Sequence, residues 1–85
     1  MSNPEIIEIN DKKPTLEELQ TLVGGLIQEV YKTDGLNTFR DPKVQYWVNE
    51  EGLIHKLPYN AKAALILGQP IVGNLVILTE KAILD

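Results

Sequence analysis

The run IVGNLVIL, Ile71 to Leu78, is apolar on both faces of an extended chain. A strand with one wet face alternates apolar and polar residues, so a run like this belongs at the centre of a sheet or under a partner. The whole chain has only 85 residues, which suits one domain over residues 1–85 with a thin margin of burial. With 44% hydrophobic residues the chain has an apolar surplus, and IVGNLVIL together with the tail AILD predicts a homo-oligomer, most simply a two-fold dimer.

The rest of the chain supplies elements to flank that strand. PEIIEI (Pro4 to Ile9) is β-branched and short, which suits a first strand. In TLEELQTLVGG, Thr15 and Glu18 have the spacing of a reciprocal capping box, Leu16, Leu19, Leu22 and Val23 share one face, and Gly24-Gly25 ends the helix. LIQEVYK (Leu26 to Lys32) reads as a strand stopping at Asp34-Gly35. LNTFRDPK has no period and reads as a mobile loop. In VQYWVNE, Val44, Tyr46 and Val48 face one side and Gln45, Trp47 and Asn49 the other. Asn60 caps a second helix that Gly68 ends, and Gly73 marks a bulge or a close backbone approach. The expected fold is α+β: a mostly antiparallel sheet of about five strands with two short helices, in the order strand, helix, three strands, helix, strand.

The stretch VNEEGLIHKLPYN, Val48 to Asn60, concentrates polar chemistry. Asn49-Glu50-Glu51-Gly52 fits a type I turn with a left-handed fourth residue, which points the glutamates into water and away from each other. LIHKL is then the return strand, with Leu53, His55 and Leu57 on one face. A lone histidine there is a structural or ligand-contact residue more often than a general base. Cysteine is absent, the single serine is Ser2, and there is one histidine. Thiolate sites, serine triads and tight transition-metal sites therefore have no credible members, and no catalytic residue, metal or cofactor is expected.

A net charge of −4 argues against binding long nucleic acid. No apolar run approaches membrane-spanning length and the N-terminus lacks signal-peptide character, so the chain reads as cytoplasmic. Local binding is another matter. The aromatic residues Tyr31, Phe39, Tyr46, Trp47 and Tyr59 lie in the middle of the chain among Lys32, Arg40, Lys43, Lys56 and Lys62. Rings with interleaved cations grip a nucleobase and its phosphates, and they equally serve as core rings with lysines at the rim. The candidate ligand-binding residues are Trp47, Tyr59, Asn60, Arg40, Lys56, Lys62 and His55. The base would stack on Trp47 or Tyr59, and the phosphates would meet Arg40, Lys56 or Lys62 near the amides after Asn60.

The ordered set LQTLVGGLIQEV, VNEEGLIHKLPYN followed by Ala63, and IVGNLVIL resembles a family of small domains of unknown function found largely in bacteriophages and other mobile elements. The likeness runs from Leu19 to Leu78. Asn37 to Lys43 and the final tail have no counterpart in it. The resemblance implies a non-enzymatic phage-type accessory protein in the host cytoplasm. Two functions follow from that. One is sequestration of a small anionic ligand such as a cyclic nucleotide defence signal; the other is an interaction module that inhibits or redirects a host protein.

Overall fold

In the computed structural model, which describes residues 3–85, the apolar run supplies an interior strand, β6 (Leu75–Thr79). Its neighbours are β1 (Ile6–Ile9) and β5 (Val44–Asn49), and β2 (Ile27–Val30) lies beyond β5, giving the order β1-β6-β5-β2. Strand β6 is parallel to β1 and antiparallel to β5, which is antiparallel to β2. It follows that β1 and β2 point the same way at opposite edges. The helix between them, α1 (Leu16–Val23), makes the crossover.

Each face of this mixed sheet carries one helix. Val76 and Leu78 pack with Leu19 and Val23 of α1, while Leu75 and Ile77 pack with Ala63 and Leu67 of α2 (Ala61–Leu67). Leu75, Val76 and Leu78 are fully buried, and each contributes about 1.5–3 kcal/mol over an exposed position. The predicted alternation of β5 holds: Val44, Tyr46 and Val48 meet the α2 side, and Trp47 meets the α1 side.

Both helix ends follow their sequence signals. Thr15 Oγ1 accepts from Glu18 N and Glu18 Oε1 accepts from Thr15 N, both at 3.1 Å. Hydrogen bonding from the Thr15 backbone N–H, and then from its side chain, holds the Glu18 carboxyl below the usual glutamate range. Gly24 and Gly68 close the helices in the left-handed conformation. At Gly68 a second constraint applies, because an added Cβ would collide with the Thr33 carbonyl oxygen.

Several expectations are corrected. The sheet is mixed and four-stranded rather than mostly antiparallel with about five strands, and a separate hairpin of β3 (Lys32–Thr33) and β4 (Thr38–Phe39) replaces part of the expected loop. Asp34 orders that hairpin by accepting from Leu36 N at 2.9 Å and Asn37 N at 2.7 Å, which lowers its carboxyl. LIHKL is not a strand. It turns, with His55 N donating to Glu51 O and Leu57 N to Gly52 O, both at 3.0 Å, because β2 and β6 already occupy both edges of β5. Gly52 lacks the expected positive φ; Lys56 has it instead, at 54°. Gly52 is buried, and a Cβ there would lie 2.7 Å from Val72 Cγ2. Gly73 has a φ of 77° and closely approaches Leu57. The tail docks on its own chain: Ala82 is buried and Ile83 and Leu84 join the α1-side core. Strand β6 is likewise covered on both faces within the chain.

Candidate functional site

An eight-residue helix is about 12 Å long, too short to cover a face of four strands. On the α1 side, the helix sits over the Ile27 and Asn49 end, where Asn49 Nδ2 donates to Val23 O at 3.1 Å. The other end of β2 and β5 is left as a cleft of about 570 Å³. Its floor is Glu29 and Tyr31 from the β2 side and Gln45 and Trp47 from β5. One wall is the loop Arg40 to Pro42, and the other is the tail at Leu84 and Asp85.

Each wall is anchored. Gln45 holds the tail with two hydrogen bonds, Nε2 donating to Leu84 O at 2.7 Å and Oε1 accepting from Leu84 N at 2.8 Å. Lys13 Nζ pairs with Asp85 at 2.7 Å and holds that carboxyl below the usual range. Across the cleft the Arg40 guanidinium lies 4.8 Å from the Tyr31 ring centroid, a cation–π distance. The Tyr31 hydroxyl donates to Glu29 Oε1 at 3.2 Å.

Two features mark this end of the fold. Trp47 Nε1 is buried and is the one such side-chain polar atom among the described residues without a hydrogen-bond partner. Burying an indole N–H unpaired is costly. The second feature is charge: Glu29, Asp41 and Asp85 share the cleft with a single arginine. On the opposite face of β5, burial and then the Asp41 charge push the Tyr46 phenol up.

The remaining candidates lie elsewhere. Tyr59, Asn60 and Lys62 line a separate cleft of about 510 Å³ with residues 3–6. Asn60 there is 2% exposed and fully engaged. Its Oδ1 accepts from Ala63 N at 3.0 Å, and its Nδ2 donates to Gly73 O at 2.9 Å and Glu5 O at 3.2 Å. It is therefore a structural cap. Tyr59 and Lys62 are exposed beside it, and Glu5 lines the same cleft. His55 and Lys56 are exposed on the turn after β5 and line neither cleft; His55 Nε2 is 3.9 Å from Glu51 Oε1. The candidates therefore fall into two groups on different parts of the surface: Tyr59, Asn60 and Lys62 share the second cleft, while Trp47 and Arg40 share the first. Their partners Tyr31 and Glu29 were missed as a pair, although their two-residue spacing puts both on the Trp47 face.

Among the described residues, no three His, Asp or Glu side chains cluster to hold a metal ion, and no helix is long and apolar enough to cross a membrane. No curated protein and no solved structure matches the chain. One comparison does match: the family model for the domain of unknown function DUF3846 spans residues 1–82, from the first strand through the turn that leads into the docked tail. The chain therefore belongs to the DUF3846 family.

Proposed function

We propose that this domain is a non-enzymatic, phage-type accessory protein that sequesters a small nucleotide in the cleft over β2 and β5 on the Trp47 face. The carrying observation is the pairing of Arg40 with Tyr31 beside Trp47 in one open cleft. A planar base stacks on the aromatic floor, Glu29 accepts an amino hydrogen, and Arg40 meets the phosphate. The carboxylates restrict the ligand's charge. With Asp85 paired to Lys13, Arg40 faces Glu29 and Asp41, so a cyclic nucleotide, whose phosphodiester carries one negative charge, meets less repulsion than a triphosphate does. Calorimetry with a cyclic mononucleotide and its triphosphate tests this. Binding of the cyclic form in the micromolar range, lost in Arg40→Ala, is expected; no heat from any nucleotide would overturn it.

A second reading, an interaction module acting on a host protein, is favoured by Leu53 and Ile54. These adjacent residues on the turn after β5 are 82% and 75% exposed. They lie at the opposite face of the sheet from Trp47, beside Val30 and Val48.

A further inference from the structure

The α2 face of β2 and β5 is left partly open for the same reason as the α1 face: one short helix covers it. Between these strands and the segment Gln69 to Val72 runs a groove of about 430 Å³. Val30, Val48 and Ile71 form its apolar lining, and Leu53 and Ile54 extend that surface into solvent. Glu50 and Glu51 also line it, and no lysine, arginine or histidine does. Single exposed apolar residues are ordinary, but two together at the mouth of an apolar groove make a patch. Strand β2 forms one side of the groove and is the edge of the sheet, with no strand beyond it.

We infer that this groove docks an extended segment of a different protein in which apolar and basic residues alternate. The inference rests on the interaction-module reading and gives its partner a chemistry. The segment adds to the outer edge of β2, its apolar side chains enter the groove against Leu53 and Ile54, and its alternating cations turn to the other face of the sheet, where β2 presents Glu29. Charge complementarity selects this occupant over a second copy of the chain. An isologous contact uses the same patch twice, and it would bring the carboxylates of both copies into one interface.

Nuclear magnetic resonance with isotope-labelled protein tests the assignment, using a synthetic octapeptide alternating valine with arginine and a control carrying glutamate for arginine. Shifts from the basic peptide are expected at residues 28–30, 48–54 and 69–72, with affinity falling about tenfold in L53S/I54S. Both substituted side chains are exposed, so the variant's unperturbed spectrum elsewhere verifies its fold. Shifts from both peptides alike, no shifts, or unchanged affinity in the variant would overturn the inference. Shifts confined to another surface would keep the interaction reading while overturning this groove. A dimer in sedimentation that L53S/I54S abolishes would assign the groove to a second copy instead.

Discussion

Replacing Asn60 with alanine removes a side chain that ties three parts of the fold together. The cap on Ala63 N at 3.0 Å, the bond to Gly73 O at 2.9 Å and the bond to Glu5 O at 3.2 Å are lost together. A lost cap costs about 1 kcal/mol, and each lost bond to a carbonyl about 1 kcal/mol more. The total is about 3 kcal/mol, a large share of the roughly 4–13 kcal/mol expected for a domain of this length. Thermal unfolding followed by circular dichroism should drop by about 12–24 °C. Asn60→Ser restores the cap alone and should recover about one third of the loss. A drop under about 1 kcal/mol in Asn60→Ala, or full rescue by serine, would refute the three-bond account.

Gly52→Val should destabilise by about 1–3 kcal/mol through overlap with Val72 Cγ2. Because the cause is crowding, Val72→Ala should relieve much of it in the double variant, and a double variant no better than Gly52→Val would point back to backbone strain. Gly68→Ala meets left-handed strain at φ 72° and the Thr33 carbonyl together, so it should cost more than the roughly 1 kcal/mol of strain alone in a urea titration. For Glu18 the folded pKa is depressed, so its stabilisation is fully present above the unfolded value of about 4.3 and is lost as pH falls through the folded one. Glu18→Gln should flatten the acid limb of stability against pH, and parallel limbs would contradict the capping contribution.

What the sequence revealed was local. The two helices and their glycine ends depend on residues three to nine positions apart, so Thr15, Glu18 and Gly24, or Asn60 and Gly68, were readable directly. The alternation of β5 was readable for the same reason. LIHKL misled because placing Leu53, His55 and Leu57 on one face and Ile54 and Lys56 on the other satisfies a strand pattern, while the position beside β5 goes to Leu75–Thr79 from later in the chain. The parallel β1–β6 pair is likewise non-local, and no adjacent residue signals it. The site followed the same division. Trp47 was placed on its correct face by alternation, whereas bringing Arg40 onto Tyr31 takes the β3–β4 hairpin between them. Asn60 was assigned to both a cap and a ligand; its buried side chain has bonds for the first alone.

Trp47 is the chain's single tryptophan and lies in the floor of the proposed cleft, so its emission reports that site without a label. Titrating a cyclic mononucleotide into the protein while following this fluorescence tests the functional reading most directly. The account predicts saturable quenching in the micromolar range that disappears in Arg40→Ala and persists in L53S/I54S, whose changes lie on the opposite face. Emission that stays constant across cyclic and linear nucleotides, or quenching equal in Arg40→Ala, would contradict it.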